Sequence, residues 1–423
     1  MKGFFNDHEV KSKTRPDGKT YSCASCGLYK FVFSPRMTPY GECKKKILNN
    51  GEGPGEDEDR KGKQWQGKVG RKLKRAYRHA GDIDLFEDCV NTNAVDCRTP
   101  KNREPTDYEI IACRPRKLRT IEQYQPNVIV LLGNAAIKSI IGHKWKNDLD
   151  GISRWRGWSI PDREFGAWIC PIFHPSYVER NKDMPQVETI WHQDIERISN
   201  LINEPMPQYK DERQNITILK HQDDLDTVLE KIRLGWEGHL ITFDYETTGI
   251  KPHAKGHRIV CASIATAENT YAFMFPTKKR HLKQFQRLME SPHIGKTAHN
   301  MKFEHHWTEI RARHTINNWV WDSMQAAHLL DNRRKISGLK FQAYVRYGLA
   351  DYSSHIDPFL EGKDPKNANS HNKIWDFIER YGENELLIYC GIDSLLEYRL
   401  ALDQMGELGF DSLIELQNRQ GEV

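Results

Sequence analysis

The chain of 423 residues is longer than one ordinary domain and suggests two or three. Its net charge of +5 is unevenly divided, because residues 1–210 carry 36 Lys and Arg against 28 Asp and Glu, whereas residues 211–423 carry 27 against 30. No run of about eighteen apolar residues and no signal-peptide pattern occurs, so we expect a cytoplasmic protein without a membrane partner. A basic first half suits a polyanionic partner.

The first motif is a cysteine pair with two residues between its members, Cys23 and Cys26, and Cys97 and Cys113 follow it. Nine cysteines in a reducing compartment favour metal ligation or free thiols over disulfides. Four thiolates suit either an iron–sulfur cluster or structural zinc, and the residues alone do not choose between the two.

A glycine-rich turn follows at residues 51–70, GEGPGEDEDRKGKQWQGKVG, directly after the apolar end of a predicted strand. Its glycines allow a tight turn and a close approach of the backbone to a ligand. An acidic run, Trp65 and a predicted basic helix at residues 68–78 come next. The order strand, turn, acid, aromatic and helix predicts a ligand pocket at the carboxyl end of a strand.

As a whole string, this stretch resembles the first motif of the family 4 uracil-DNA glycosylases, the type that carries an iron–sulfur cluster. Residues 91–98 (NTNAVDCR), 125–133 (QPNVIVLLG) and 173–181 (FHPSYVERN) resemble further motifs of that family in the same order. The likeness covers about residues 20–202. It implies a [4Fe–4S] cluster held by Cys23, Cys26, Cys97 and Cys113.

The resemblance also implies roles for single residues of a uracil site. Trp65 matches the ring that stacks on an extruded base, and Asn93 matches the amide that reads the uracil edge. Glu52 matches the catalytic carboxylate, and His174 matches the histidine that hydrogen-bonds the leaving uracil. Two further positions are implied to bind substrate, Gly53 and Ser176.

Two features of this half depart from the pattern or leave its meaning open. Gln64, Trp65 and Gln66 stand where the family has Pro-Phe-Val, which enlarges the stacking ring and replaces its apolar flanks with amides. This difference bears on the base preference more than on the fold. The basic aromatic run at residues 154–158, RWRGW, is typical either of a segment that grips DNA or of a solvated hairpin.

After a predicted closing helix at residues 191–202, a second pattern begins. A strand at residues 216–219, a helix at 223–234 and a strand at 239–243 lead to Asp244 and Glu246. Residues two apart in a strand point to the same face, and two like charges at that place are costly unless a cation lies between them.

Residues 298–304 (AHNMKFE) and 389–393 (YCGID) complete a set of motifs that resembles the DEDDy 3′–5′ exonucleases, the RNase H-like fold of proofreading domains and RNase D. The likeness spans about residues 215–408. It implies hydrolysis with two Mg²⁺ or Mn²⁺ ions. Their ligands would be Asp244, which bridges the ions, with Glu246, Glu304 and Asp393.

Three other residues of this site follow from the same likeness. Tyr389 would orient the attacking water, and Asn300 would bind substrate. Glu304 stands where the family usually has Asp, and Asp322 in the neighbouring WDSM segment is the first alternative ligand.

We therefore predict two α/β domains. A three-layer glycosylase fold with a central parallel sheet and the iron–sulfur cluster would occupy residues 1–202, a linker 203–214, and an RNase H-like exonuclease fold with a mixed sheet 215–423. The expected enzyme acts in DNA repair or replication, as both a uracil-DNA glycosylase and a 3′–5′ exonuclease.

The arrangement resembles the front of certain bacteriophage polymerases. This implies uracil-containing DNA or DNA 3′ ends as substrate, a DNA polymerase as a partner, and the host-cell cytoplasm as the location. Two other interpretations stay open. One is a non-catalytic DNA-binding module that uses both folds as scaffolds, and the other is an RNase D-like exonuclease that processes RNA.

Overall fold

The computed structural model describes residues 21–364 and 366–410. The chain divides into two compact units, one of Met1–Gln208 with Tyr344–Asp351 and the other of Tyr209–Ala343 with Tyr352–Val423. The break at residue 208 falls inside the predicted linker. Among the described helices, none combines the length and the apolar character that a membrane span requires.

The first unit is built on a five-stranded sheet with the order β2-β1-β3-β5-β4. All neighbouring strands are parallel except β4 and β5, which are antiparallel. Its strands are β1 (Ile47–Gly51), β2 (Cys89–Asn93), β3 (Val128–Leu132), β4 (Ile160–Asp162) and β5 (Ala167–Ile172). The central strand β3 is an unbroken apolar run, and all its residues are buried, as expected of a parallel strand covered on both faces.

Helices surround this sheet and begin where the sequence changes from turn residues to a helical period. They are α1 (Cys23–Cys26), α2 (Glu56–Lys61), α3 (Lys68–Gly81), α4 (Asp107–Tyr124), α5 (Asn134–Lys144), α6 (Ile152–Trp155), α7 (Pro175–Arg180) and α8 (Pro185–Leu201). Thr106 caps α4 in a reciprocal arrangement with Glu109, and Pro175 and Pro185 occupy first positions of α7 and α8, where a missing N–H costs little.

The second unit has a six-stranded mixed sheet with the order β11-β10-β7-β8-β9-β6. The strands are β6 (Ile216–Ile218), β7 (Leu240–Thr247), β8 (Ile259–Ala265), β9 (Thr270–Met274), β10 (Gly295–Ala298) and β11 (Trp319–Asp322). β8 runs antiparallel to both its neighbours, β7 and β9, whereas the other pairs are parallel. The predicted fold class, two α/β domains with a mostly parallel and a mixed sheet, is confirmed.

The helices that begin in this unit include one that is much longer than the rest. They are α9 (Gln222–Arg233), α10 (Lys279–Met289), α11 (Met301–Trp307), α12 (Ser323–Leu330), α13 (Leu339–Tyr347), α14 (Asp357–Leu360), α15 (Ile374–Tyr381) and α16 (Glu383–Glu407). The 25-residue α16 packs across β7, β8 and β9, so its inward face meets the centre of the sheet.

Two local expectations differ from the structure. The strand predicted at residues 239–243 extends further, through Thr247, so Asp244 and Glu246 lie within β7 and pair with β8, on the shared face that the strand alternation predicted. In the basic aromatic run, Trp155 lies on the short helix α6 and is 0% exposed. Neither the DNA-gripping interpretation nor the solvated hairpin is therefore right for Trp155.

Candidate functional sites

A cavity of about 330 Å³ opens at the carboxyl edge of the first sheet, where β1 ends at Gly51 and β2 ends at Asn93. The structure brings six residues predicted for the glycosylase site into its wall: Glu52, Gly53, Trp65, Asn93, His174 and Ser176. The wall also contains polar residues to which the sequence assigned no role, among them Glu58, Gln64, Lys68 and Arg180.

The loop that carries Trp65 is held in an unusual backbone conformation. Trp65 has φ +58°, in the left-handed region, and a Cβ added at Gly70 would stand 2.2 Å from the Trp65 carbonyl oxygen. Glu58 accepts hydrogen bonds from the N–H groups of Gln66 at 2.8 Å and Gly67 at 3.0 Å. Glu58 therefore holds the backbone directly after Trp65. In the sequence, the only signal for this role was the place of Glu58 in the acidic run before the loop.

Asn93 meets this loop through its side-chain amide. Its Nδ2 donates to Gln64 Oε1 at 2.5 Å, and both side chains are buried. A Cβ added at Gly51 would stand 2.4 Å from Asn93 Oδ1 and 3.4 Å from the Trp65 ring. Gly51 is therefore needed for the amide and the indole to share one wall.

His174 presents a defined hydrogen-bonding state. Its Nδ1 accepts from the Ser176 N–H at 3.2 Å and lies 2.7 Å from the Ser176 hydroxyl. Because Nδ1 accepts from a backbone N–H, the neutral ring carries its proton on Nε2. Burial, with the positive charge of Arg180, lowers the pKa of His174 to about 4. At neutral pH the residue is a neutral Nε2–H donor whose ring centroid lies 5.9 Å from that of Trp65.

Glu52 lies on the turn that follows β1. The N–H of Val95 donates to the Glu52 carbonyl at 3.2 Å, which ties this turn to the segment after β2. Burial, followed by the negative charge of Glu104, raises the pKa of the Glu52 carboxyl, against the opposing charge of Arg180. A raised pKa makes the carboxylate a stronger base than an exposed glutamate.

The four predicted cluster ligands line one small cavity. Cys23 and Cys26 lie on α1, which Gly27 ends with φ +76°, whereas Cys97 follows β2 and Cys113 lies on α4. The N–H of Arg36 donates to Cys97 Sγ at 3.3 Å, and that of Asp96 donates to Cys113 Sγ at 3.4 Å. All nine cysteines of the chain are free of disulfides.

The chemistry of these thiols fits a metal centre. Four cysteines that line one cavity suit either a single zinc ion or an iron–sulfur cluster. Burial raises the pKa of Cys26, Cys97 and Cys113, the last to about 12, so metal is needed to keep them as thiolates.

In the second unit, Asp244, Glu246 and Asp393 have carboxylate oxygens within 4.8 Å of one another. The first two share a face of β7, and α16 brings Asp393 against that face. Burial, with the negative charge of Asp393, raises the pKa of Asp244 to about 8, and burial raises the pKa of Asp393 to about 6. An all-oxygen set of this kind fits Mg²⁺ or Mn²⁺.

Two tyrosines flank Asp393. Tyr389 precedes it by four residues on α16, and the Tyr352 hydroxyl donates to Asp393 Oδ1 at 2.7 Å. The two tyrosine rings are 6.1 Å apart, and Lys340 Nζ lies 5.9 Å from the Tyr389 ring centroid. Tyr352 was not expected from the sequence, since it lies 41 residues before its partner and no motif spacing marks it.

Glu304 stands beside this group rather than within it. It is 2% exposed, and its Oε2 has no hydrogen-bond partner in the described part of the chain. Burial, followed by the charge of Asp244, raises its pKa well above the usual range. Asn300, just before α11, has φ +74° and donates its backbone N–H to Asp322 Oδ1 at 3.1 Å, and a substrate contact of its side chain stays a prediction.

Comparison with known proteins gives two family matches in this order. The uracil DNA glycosylase superfamily matches residues 38–194, and a 3′–5′ exonuclease family matches residues 216–352. The type-4 uracil-DNA glycosylase of Thermotoga maritima is 37% identical over 180 residues, which are 43% of this chain and 89% of that enzyme.

Two further relatives cover other shares of the chain. A DNA polymerase of Bacillus phage SP01 is 25% identical over 386 residues, and the match spans 82% of this chain but 39% of the polymerase. The crystal structure of Escherichia coli RNase D matches 49% of this chain and 49% of its own length, with 14% identity and a TM-score of 0.35. The chain therefore belongs to the type-4 uracil-DNA glycosylase family through its first half, and a 3′–5′ exonuclease domain follows that half.

Proposed function

We propose that this protein excises uracil from DNA in its first domain, residues 1–202, and digests DNA from the 3′ end in its second domain, residues 215–423. One observation supports the proposed glycosylase activity most strongly. Six residues implied by the family resemblance, which come from three separate motifs of the sequence, line one cavity at the carboxyl edge of the sheet.

In the proposed glycosylase reaction, each residue has one task. Trp65 stacks on the extruded base, and the Asn93 amide pairs with its hydrogen-bonding edge. The Glu52 carboxylate orients water at the sugar carbon and stabilises the positive charge that develops there. As the N-glycosidic bond breaks, its electron pair leaves with uracil, and the His174 Nε2–H donates to the uracil oxygen that gains charge.

We further propose that Cys23, Cys26, Cys97 and Cys113 hold a [4Fe–4S] cluster. The support is that these thiols line one cavity and that the first half of the chain belongs to the type-4 uracil-DNA glycosylase family, whose resemblance implies such a cluster. Bound there, the cluster would supply a cross-link between α1, the segment after β2, and α4. Its proposed role is structural, because none of the four cysteines lines the cavity that contains Glu52.

For the second activity we propose that Asp244, Glu246 and Asp393 hold a divalent cation at the DNA 3′ end. The bound ions would supply a water of lowered pKa and neutralise charge on the phosphate. Tyr389 would orient that water, and Tyr352 would hold Asp393 through its hydroxyl. Support comes from the mutual approach of the three carboxylates on β7 and α16.

The phage polymerase relative supports a place for both activities in DNA replication. The match spans 82% of this chain, more than either domain alone, so both parts are aligned together in that protein. We propose a DNA polymerase as the functional partner of this chain.

The test of the proposed glycosylase is the release of free uracil from a uracil-containing oligonucleotide in the presence of EDTA. We expect the wild-type protein to leave abasic sites, and we expect Glu52→Gln to be greatly impaired. DNA binding without uracil release would overturn the catalytic proposal in favour of a scaffold. The matching nuclease test compares shortening of 5′-labelled DNA and RNA with Mn²⁺, where a preference for RNA would favour the RNase D-like alternative.

A further inference from the structure

Two phenylalanines of the first unit are held out in solvent. Phe31 is 81% exposed and Phe33 is 76% exposed, more than any other large apolar side chain among the described residues of that unit. They belong to residues 28–37, LYKFVFSPRM, which we call the aromatic segment and to which the sequence motifs assigned no role. Exposed apolar side chains that are grouped rather than scattered mark interaction surfaces.

The aromatic segment is anchored from its inner side. Leu28 is buried in a hydrophobic cluster of the first unit, and Val32 packs against the same cluster. The backbone at Val32 is extended, with φ −131° and ψ 155°. Because successive side chains of an extended backbone point to opposite sides, the inward Val32 turns Phe31 and Phe33 outward.

A second anchor is Asp59, a buried residue of α2. Its carboxylate accepts hydrogen bonds from the N–H groups of Phe33 at 3.3 Å and Ser34 at 2.9 Å, and the Ser34 hydroxyl donates to the Asp59 carbonyl at 2.6 Å. The backbone that presents the rings is therefore already ordered. A surface that is ordered in advance loses little conformational entropy when it binds a partner.

Both anchors connect the aromatic segment to the cavity that contains Glu52. Asp59 directly follows Glu58, which lines that cavity. The hydrophobic cluster that holds Leu28 also includes Val95, whose Cγ2 would stand 3.0 Å from a Cβ added at Gly53, another residue of the cavity wall. The aromatic segment therefore borders the wall of the proposed uracil site.

The charge of the aromatic segment favours a polyanion as its partner. Its charged residues are Lys30 and Arg36, both exposed, and it contains no acid. The two cations gather around one ring, since Lys30 Nζ lies 6.0 Å and the Arg36 guanidinium carbon 5.4 Å from the centroid of Tyr29. Cations between aromatic rings are typical of surfaces that bind single-stranded nucleic acid, where cations contact phosphates and rings stack on bases.

We propose that Phe31 and Phe33 stack on unpaired bases of the DNA strand beside the extruded uracil, while Lys30 and Arg36 contact its phosphates. This inference rests on the proposed glycosylase function and names the surface that holds its substrate. Extrusion of a base leaves its neighbours unstacked, and aromatic or apolar side chains replace the lost stacking. Since every base has a π-face, this surface binds DNA without regard to sequence.

The test uses the full chain in EDTA and measures how single-turnover uracil release from a single-stranded oligonucleotide depends on protein concentration. Replacing both phenylalanines, Phe31→Leu with Phe33→Leu, should raise the half-saturating concentration about tenfold or more, because leucine keeps the apolar character but has no π-face. Phe31→Tyr with Phe33→Tyr should restore most of the affinity. The matched control is Trp236→Leu, an aromatic residue of the second unit that is 67% exposed, which should leave the half-saturating concentration unchanged.

A second readout does not require catalysis. Fluorescence anisotropy in EDTA, with a single-stranded oligonucleotide that carries a stable abasic-site analogue, should show the same loss of affinity in the leucine variant. Thermal unfolding should be unchanged in all variants, because the replaced side chains are exposed.

Three outcomes decide between the inference and the proposed function. A leucine variant equal to wild type in both assays would overturn the inference and leave the glycosylase intact. A wild-type protein that releases no uracil would overturn the glycosylase, and the anisotropy would then decide the inference by itself. A leucine variant with altered sedimentation of the free protein but wild-type DNA affinity would identify a contact between two copies of the chain and overturn the inference.

Discussion

Asn93 and Gln64 are joined by a hydrogen bond of 2.5 Å from the Asn93 Nδ2 to the Gln64 Oε1. This bond fixes which way the Asn93 amide faces, so that its Oδ1 can accept from uracil N3–H and its remaining N–H can donate to O4. A flipped amide would instead match the N3 acceptor and N4 donor of cytosine. We therefore expect Gln64, which stands where the family has proline, to influence base preference.

Replacing Gln64 with Met should weaken the discrimination between uracil and cytosine. We expect uracil excision to fall by about three- to tenfold, the effect of one hydrogen bond, and the ratio of uracil to cytosine excision to fall with it. Single-turnover rates on matched oligonucleotides measure both. Lys61→Met is the control, because Lys61 is exposed and lies outside the cavity wall. An unchanged base ratio in Gln64→Met would show that Asn93 is oriented by other contacts.

The dependence of excision on pH should have one limb at acid pH. Burial raises the pKa of Glu52, so this carboxylate gains a proton at a higher pH than an exposed glutamate and the rate falls as pH drops through that value. His174, with a pKa of about 4, stays neutral from pH 5.5 to 8 and adds no limb there. Rates measured from about pH 4.5 to 8.5 check this. A limb near 6.5 that disappears in His174→Gln would contradict it.

Substitution of His174 by Ala should slow excision without abolishing binding. Loss of one donor to a departing anion typically costs about 10²–10³ in rate. The measurement is single-turnover uracil release alongside DNA affinity, with Ser176→Ala as a milder companion, since it removes only a hydroxyl beside Nδ1. Equal rates for His174→Ala and wild type would remove the histidine from the mechanism.

The proposed iron–sulfur cluster should colour the protein and stabilise its first domain. Anaerobically purified protein should be yellow-brown, with broad absorption near ~400 nm. Cys97→Ser or Cys113→Ser should bleach it and destabilise the first domain, whereas Cys43→Ser, a buried cysteine outside the cavity, should keep the colour. A colourless anaerobic preparation with stoichiometric zinc would contradict the assignment.

Nuclease activity should tolerate a shorter acid at position 304 but not the loss of the acid. Glu304→Asp should stay within about tenfold of wild type, a change of ~1.4 kcal/mol in barrier. Glu304→Ala and Asp244→Ala should each lose on the order of 10² or more, because an ion loses a charged ligand. Mn²⁺ should support the reaction better than Mg²⁺, since it tolerates irregular geometry. Digestion by Glu304→Ala at the wild-type rate would mean that Glu304 is not a ligand.

The positions of Glu52 and Asn93 could be predicted from the sequence because both lie at the ends of strands. The turn after β1 and the segment after β2 carry Glu52 and Asn93, and parallel strands bring their carboxyl ends to one edge. The two fold classes followed from the same motifs.

Contacts between distant side chains could not be predicted in this way. The bonds from Tyr352 to Asp393 and from Asn93 to Gln64 depend on rotamers and on how helices pack on the sheet, and no spacing encodes them. Asp322 shows a second role that the motif did not reveal. Backbone N–H groups donate to both of its carboxylate oxygens, so it caps α12, and its role as an alternative metal ligand stays a prediction.

One 5′-labelled oligonucleotide with a single uracil, treated with alkali after incubation, tests both proposed activities together. With EDTA, we predict a single break at the uracil position, because base excision needs no divalent cation. With Mn²⁺, we predict shortening from the 3′ end as well, and Asp244→Ala should abolish that shortening while leaving the break at uracil. Intact DNA under both conditions, with the protein bound to it, would contradict both proposed activities and favour a DNA-binding scaffold.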